Sequence, residues 1–169
     1  MKAIILYPMN ALATDQANRI AEIIWKDKRL KDKVNVGLLI GLGQDKKAVY
    51  TRVMTKDKVI EDREHIIKYP PDILLTNFKM LDYALMQQDF QDLWFTNQAR
   101  PEVLQYLVLD ELHTYDGAQG TDVANLIRRL KLKLNLSQGS LCPVGTSATI
   151  GSTPDAKVKL AAYASKIFG

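Results

Sequence analysis

Five short apolar runs, separated by stretches with helical periodicity, limit the folds that this chain can adopt. They occupy residues 3–7, 34–40, 73–76, 106–109 and 141–146. Strands that are apolar throughout and alternate with helices are typical of a parallel sheet, because helices then bury both of its faces. We therefore predict an α/β fold with a mostly parallel sheet and helices on both faces.

The segments between these runs carry the spacing of amphipathic helices. In the first of them, Ala13, Ala17, Ile20 and Ile24 share one face. Similar patterns predict further helices at about residues 61–68, 79–87 and 156–167, and the mixed segment after the second run predicts a strand near residues 49–53.

One more helix is predicted to begin at about Thr121, because a threonine hydroxyl is a favourable N-cap. Apolar residues follow it in register at positions 123, 126, 127, 130 and 134. Gly117 and Gly120 come just before it and are predicted to permit tight turns ahead of the helix.

Composition indicates one soluble globular domain. The chain has 169 residues, of which 47% are apolar and 25% charged, and no apolar run approaches the roughly 18 residues of a membrane span. A single cysteine, Cys142, excludes an internal disulfide and favours a cytoplasmic location. The net charge of +4 is compatible with a nucleic-acid partner, but many enzymes without polyanionic partners are equally basic.

Polar residues follow four of the apolar runs, at segments 8–16, 76–77, 110–113 and 147–149. In open parallel sheets, ligands bind beyond the carboxyl ends of the strands. The four segments are therefore expected to meet at one edge of the sheet and to form the functional site.

The acidic pair Asp110–Glu111 is the most reactive feature of this edge. Phosphoryl transfer from a nucleotide requires a carboxylate for Mg²⁺ and a second group that positions the attacking water. Two adjacent acids at a strand end can divide these roles, with Asp110 for the metal and Glu111 for the water. An apolar strand followed by a polar turn would show the same pair, so the pair alone leaves both interpretations open.

The four segments together resemble the ordered motifs of superfamily 2 helicases. Asp-Glu-Leu-His at 110–113 matches the DExH box, motif II, and Ser-Ala-Thr at 147–149 matches motif III. Residues 8–13 resemble motif Ia, and residues 76–81 resemble motif Ib. The longer segment 110–131 is similar to the group of large helicase-related (Lhr) enzymes.

This resemblance implies a RecA-like fold of the P-loop NTPase type and assigns catalytic roles. Asp110 would bind Mg²⁺ through water, and Glu111 would be the general base for ATP hydrolysis. His113 and the coupling residues Ser147, Ala148 and Thr149 would link the state of the nucleotide to movement along a strand.

The same resemblance assigns motifs Ia and Ib to the backbone of DNA or RNA. The matching positions here are Pro8, Asn10, Ala11, Thr76 and Asn77. Thr76 and Asn77 carry groups that can donate hydrogen bonds to phosphate, although a helix cap is an alternative role for them. Family members commonly carry a basic residue where Asn10 stands, so weaker phosphate binding is expected at that position.

The phosphate-binding loop of these enzymes, Gly-x-x-x-x-Gly-Lys-Ser/Thr, does not occur in the sequence. We therefore expect residues 1–169 to form a partial first RecA-like domain without the P-loop strand, whose parent helicase pairs it with a second RecA-like domain. This part alone is expected to lack ATPase activity and tight binding of Mg²⁺ and ATP.

One further expectation follows from the missing P-loop strand, and one alternative function stays open. The strand at 141–146 would become a sheet edge, through which the chain could self-associate. The alternative function is a non-catalytic RecA-like module that binds nucleic acid or a protein.

Overall fold

The computed structural model describes residues 1–41, 50–147 and 154–169, with side chains from residue 158 onward in the last range. Five parallel strands form one sheet in the spatial order β2-β3-β1-β4-β5. The strands are β1 (Ala3–Tyr7), β2 (Val36–Leu39), β3 (Ile73–Asn77), β4 (Tyr106–Leu109) and β5 (Cys142–Gly145). The predicted α/β class and the five predicted apolar strands are confirmed.

Six α-helices accompany the sheet in the described part of the chain. They are α1 (Asn10–Lys26), α2 (Arg63–Lys68), α3 (Phe78–Met86), α4 (Gln91–Ala99), α5 (Gly117–Lys133) and α6 (Pro154–Phe168). Short 3-10 turns occupy Gln88–Phe90, Pro101–Val103 and Leu112–Thr114. None of the helices within these described ranges has the length and apolar content needed to cross a membrane.

Two apolar cores lie on opposite faces of the sheet. On one face, α1 buries Ala13, Ala17 and Ala21 against the strands. Small side chains allow this helix to approach the sheet closely. The other face packs against α3, α4 and α5, with Trp94 and Tyr115 among its largest fully buried side chains. Helices therefore cover both faces, as the sequence predicts.

The strand register brings the carboxyl ends of four strands to one edge. Tyr7 pairs with Asn77, Leu6 pairs with Leu109, and Leu109 pairs with Gly145. The residues that follow these strand ends are therefore neighbours in space. The edge contains the segments that resemble motifs Ia, Ib and II and the start of motif III.

The sheet ends at β5, which pairs with β4 alone among the described strands. Its four residues are exposed, including Cys142 and Val144. The prediction that segment 141–146 forms a sheet edge is confirmed, although the strand is limited to Cys142–Gly145. Self-association through this edge stays a prediction.

The predicted strand near residues 49–53 is wrong for residues 50–53, and Val49 lies outside the described residues. Thr51 instead anchors a loop: its hydroxyl donates to the Val59 carbonyl at 2.6 Å, and its carbonyl accepts from the Glu61 N–H at 2.8 Å. The β-branched residues Thr51 and Val53 therefore lie in the loop between β2 and α2. Ile60, in the same loop, makes a single bridge to Gly37 on β2.

The predicted start of α5 at Thr121 is also wrong, because the helix begins at Gly117 with Asp116 as N-cap. Thr121 lies inside the helix and donates its hydroxyl to the Gly117 carbonyl. Gly117 has a φ of +53°, so it does form the predicted tight turn. Gly120 is helical instead, and a Cβ there would lie 2.4 Å from the Tyr115 carbonyl oxygen, which explains the glycine.

Helix α4 has no counterpart among the sequence predictions. Its segment is rich in polar residues, and apolar spacing does not reveal the buried face, because that face includes Asn97 while Phe95 is exposed. Trp94 supplies the anchor, because its side chain is fully buried and its indole N–H donates to the Ala84 carbonyl at 3.0 Å. This bond satisfies a carbonyl in the last turn of α3.

Candidate active site

Asp110 follows β4 directly and is fixed from two sides. Its backbone N–H donates to the Leu6 carbonyl at 2.9 Å, which extends the pairing of β4 with β1. Its carboxylate accepts a hydrogen bond from the Thr146 hydroxyl at 2.5 Å, just beyond β5. The half-buried carboxylate therefore has a defined position at the open edge of the sheet.

Glu111 adopts a left-handed backbone conformation with φ 51° and ψ 51°. This backbone conformation is unfavourable by about 1–2 kcal/mol for a residue other than glycine, so contacts with neighbouring residues must stabilise it. The Glu111 N–H donates to the Thr146 hydroxyl oxygen at 3.2 Å, and its carbonyl accepts from the N–H and the hydroxyl of Thr114, both at 2.8 Å. This turn directs the chain away from β4 immediately after Asp110.

His113 connects the DExH segment to the segment after β5. Its Nδ1 lies 2.9 Å from the Ser147 hydroxyl and 3.3 Å from the Glu111 carboxylate. Both contacts use the same ring nitrogen, so a proton on Nδ1 is shared between them. Three of the predicted site residues are thus brought together, whereas Ala148 and Thr149 lie outside the described residues.

Thr146 is a site residue that the sequence analysis did not single out. It contacts four successive residues at the end of β4: its N–H donates to Leu109, its hydroxyl bonds to both acids, and its carbonyl accepts from Leu112 at 2.7 Å. Its position just before the Ser-Ala-Thr segment is the signal that would have identified it.

Two buried tyrosines lie near Asp110. Burial, with a smaller contribution from the Asp110 carboxylate, raises the pKa of Tyr7 to about 12. The same two causes, in the same order, raise the pKa of Tyr115. Both phenols therefore stay neutral at physiological pH. The Tyr115 hydroxyl lies 3.4 Å from the Leu6 carbonyl, beside the strand that holds Asp110.

The donor set fits a Mg²⁺ ion that is bound together with a nucleotide. Across the described ranges, no group of three or more His, Cys, Asp or Glu side chains is arranged to hold a metal ion. Mg²⁺ in nucleotide sites is usually held by one or two carboxylates, water and phosphate oxygens. Asp110 provides such a carboxylate at the strand end, so the site suits a metal that arrives with its phosphates.

The motif Ia and motif Ib segments meet through a pair of asparagines. The Asn77 side-chain amide donates to the Asn10 side-chain oxygen at 2.5 Å. The Asn77 oxygen also caps α3 by accepting from the Met80 N–H at 2.8 Å. Asn10 begins α1, whose N-cap Met9 has no side-chain oxygen to offer. The first turns of α1 and α3 are therefore tied together at this edge.

The predicted role of the Thr76 hydroxyl as a phosphate donor does not fit its position. Thr76 is fully buried, and its hydroxyl donates to the Leu39 carbonyl on β2 at 2.5 Å. Side chains of successive strand residues point to opposite faces, so Thr76 faces the core. Asn77 performs the alternative role, that of a helix cap.

A groove of about 510 Å³ runs beside the asparagine pair. Its lining includes Pro8, Asn10, Asn77 and Lys79, and Lys79 is the charged member of this lining. The Lys79 side chain is exposed at the first turn of α3. This lysine lies inside the motif Ib segment, where the motif resemblance assigns it no role. Ala11, in the first turn of α1, is also exposed.

The motif order and this geometry agree with a comparison to protein families. The model of the DEAD/DEAH box helicase family matches residues 1–156. The match covers most of the chain, so the chain belongs to the DEAD/DEAH box helicase family. The RecA-like fold implied by the helicase motifs is thereby confirmed.

Individual proteins show the same relationship. Druantia protein DruE of Escherichia coli is 37% identical over 106 residues, which cover 56% of this chain and 6% of DruE. The uncharacterized ATP-dependent helicase YprA of Bacillus subtilis is 32% identical over 151 residues, which cover 89% of this chain and 17% of YprA. An ATP-dependent helicase Lhr-Core of Methanocaldococcus jannaschii also matches, which confirms the resemblance to the Lhr group.

A solved structure extends the likeness to three dimensions. The crystal structure of the DUF1998 helicase MrfA bound to DNA and AMPPNP is 29% identical, with a TM-score of 0.62. The likeness covers 95% of this chain and 19% of the MrfA chain. The present chain thus spans about a fifth or less of the length of DruE, YprA and MrfA.

Proposed function

We propose that the chain is part of the motor of an ATP-dependent helicase or translocase, which moves on or unwinds DNA or RNA. One observation carries the proposal. The two acids after β4 and His113 are joined to the segment after β5 by the Thr146 and Ser147 hydroxyls. A plain polar turn after a strand would not need a second segment to fix both of its acids.

In this proposal, the residues after β4 divide the work of ATP hydrolysis. Asp110 would hold Mg²⁺ through a water molecule, and the ion would supply positive charge to neutralise the phosphates. Glu111 orients the attacking water and accepts its proton. The neutral phenols of Tyr7 and Tyr115 flank Asp110 without adding charge to the site.

His113 provides a route by which the site could sense movement. With a proton on Nδ1, the ring donates to Ser147 at 2.9 Å and lies 3.3 Å from the Glu111 carboxylate. A displacement of Ser147 would change which acceptor takes this proton. The hydrogen bonding of Glu111 would then follow the position of the segment after β5, on which a second RecA-like domain would act.

The groove beside the asparagine pair is proposed to contact the nucleic-acid backbone. Asn10, Asn77 and Lys79 present an amide pair and a cation at the starts of α1 and α3. Backbone N–H groups at helix starts favour phosphate, and a lysine adds charge attraction. Pro8 and Ala11 lie at the start of α1. Lys79 would supply the positive charge that Asn10 lacks.

The catalytic proposal is tested by Glu111→Gln in the full-length protein that carries this chain. Loss of the general base should slow ATP hydrolysis by roughly 10²- to 10⁴-fold while ATP affinity is retained. Glu102→Gln is the matched control, because Glu102 is an exposed acid that precedes β4 and lies at the opposite edge of the sheet.

ATPase activity near that of the unmodified protein in the Glu111→Gln variant would contradict the assignment of the base. A full-length protein that binds nucleic acid but shows no ATPase activity would support a non-catalytic RecA-like module instead.

A further inference from the structure

Thr146 contacts all four residues from 109 to 112, at the end of β4 and in the acidic turn. Its backbone N–H donates to the Leu109 carbonyl at 3.0 Å, and its carbonyl accepts from the Leu112 N–H at 2.7 Å. These two bonds continue the pairing of β4 with β5 past the last strand residues. The Thr146 hydroxyl is thereby held between the Asp110 carboxylate and the Glu111 backbone N–H.

The hydroxyl uses its one proton and one of its lone pairs in a fixed arrangement. A hydroxyl donates once and can accept twice, while an ionised carboxylate can only accept. Asp110 must therefore accept the Thr146 proton, at 2.5 Å. The Thr146 oxygen is then oriented to accept the Glu111 N–H, at 3.2 Å. One hydroxyl thus restrains the side chain of one acid and the backbone of the next.

Both restraints oppose a real tendency of the chain. A short aspartate side chain at an exposed strand end can rotate, and Glu111 has a left-handed backbone that is unfavourable for its residue type. Without the hydroxyl, the Asp110 carboxylate loses its partner just beyond β5. The Glu111 N–H loses its acceptor at the same time.

We propose that Thr146 is a positioning residue for ATP hydrolysis, acting through Asp110 and Glu111. The inference rests on the proposed catalytic function of these two acids. The backbone hydrogen bonds of Thr146 continue the pairing of β4 with β5, so the contribution specific to the threonine side chain is its hydroxyl. Because Thr146 directly precedes Ser147, the same two-residue segment fixes Asp110, Glu111 and His113.

The test replaces Thr146 in the full-length protein and measures ATPase activity across Mg²⁺ and ATP concentrations. Thr146→Val keeps the branched shape and removes the hydroxyl. We expect kcat to fall about 10-fold, which corresponds to about 1.4 kcal/mol, and the half-saturating Mg²⁺ concentration to rise. Thr146→Ser restores the hydroxyl and should recover activity to within about 3-fold.

Thr121→Val is the control for removing a threonine hydroxyl in this domain. Thr121 is exposed, and its hydroxyl bonds to the Gly117 carbonyl within α5. Its variant should leave kcat and the Mg²⁺ dependence unchanged. Thr146→Ala is a second test variant, in case the valine methyl group beside Asp110 prevents folding.

The possible outcomes separate this inference from the function on which it rests. If Glu111→Gln abolishes activity while Thr146→Val and Thr146→Ala keep the wild-type kcat and Mg²⁺ dependence, Thr146 does not position the acids. A loss of activity that Thr146→Ser does not recover would make the role of Thr146 purely structural and would also overturn the proposal. Normal hydrolysis by Glu111→Gln would overturn the proposed function itself.

Discussion

Replacing Thr76 by valine tests whether its hydroxyl contacts nucleic acid, as the motif Ib resemblance implies, or a buried carbonyl, as the structure shows. The sequence resemblance assigns Thr76 to a nucleic-acid backbone. The structure buries it completely and directs its hydroxyl to the Leu39 carbonyl at 2.5 Å. We therefore expect Thr76→Val to lower the free energy of unfolding and to leave the affinity for single strands within about 2-fold, since the side chain does not reach the groove.

The size of the effect follows from the two groups that change. Leaving a buried carbonyl without a hydroxyl donor costs about 1–3 kcal/mol. The added methyl group recovers at most about 0.8 kcal/mol, because it is buried between β2 and the core. A net loss of about 1 kcal/mol corresponds to a fall in Tm of about 2–4 °C for a domain of this size.

Thermal unfolding and fluorescence anisotropy with a labelled single strand measure the two predictions on the same preparations. Thr76→Ser keeps the hydroxyl donor and tests whether loss of the methyl group alone changes Tm or strand affinity. Asn77→Ala is the contrasting variant, because it removes both the α3 cap and the bond to Asn10. Weaker strand binding by Thr76→Val with unchanged Tm would refute the inward placement of the hydroxyl.

Three other changes test separate features. Lys79→Ala should weaken single-strand binding and should reduce the slope of log binding constant against log salt concentration by about 0.7, the value of one phosphate contact. Lys28→Ala is the control, because Lys28 lies beyond the far end of α1, and it should change neither quantity. Gly120→Ala should lower the free energy of unfolding by about 1–3 kcal/mol, because the added Cβ would lie 2.4 Å from the Tyr115 carbonyl oxygen, and this clash outweighs the helix preference of alanine. Gly41→Ala is the control, because the space around its Cβ is open. Burial first, and Asp110 second, raise the pKa of Tyr7 to about 12, above its unfolded value of about 10. The contribution of this raised pKa to stability should therefore be fully present below pH 10 and be lost as the pH rises toward 12, and Tyr7→Phe should remove this part of the loss in urea unfolding.

Much of the fold was predictable because its signals are local. Each apolar run is short, lacks charge and ends at a polar residue, proline or glycine, and each of the five became a strand. The residues after Leu109 were also predictable as a site, since carboxyl ends of parallel strands meet at one edge. The structure brings Asp110, Glu111, His113 and Ser147 together there, whereas their catalytic roles stay predictions.

The remaining features depend on contacts between distant segments, which no local pattern shows. Thr76 reads as a polar strand end, but its partner is the Leu39 carbonyl, 37 residues earlier. Thr121 reads as a helix cap, yet the left-handed turn at Gly117 allows the helix to begin sooner. Thr146 acquires its importance only because β5 pairs with β4.

The central position of β1 has a consequence for how the domain assembles. In the sheet, β1 pairs with β3 and β4, and Ala3 has Ile73 and Tyr106 as its partners. Both partners lie far along the chain, so loop-closure entropy must be paid before β1 gains its hydrogen bonds. Folding should therefore be slow for a domain of this length, and the uncharged segment Ala3–Tyr7 stays available to other chains in the meantime. Chaperone binding or aggregation during refolding is expected to involve this strand before any other.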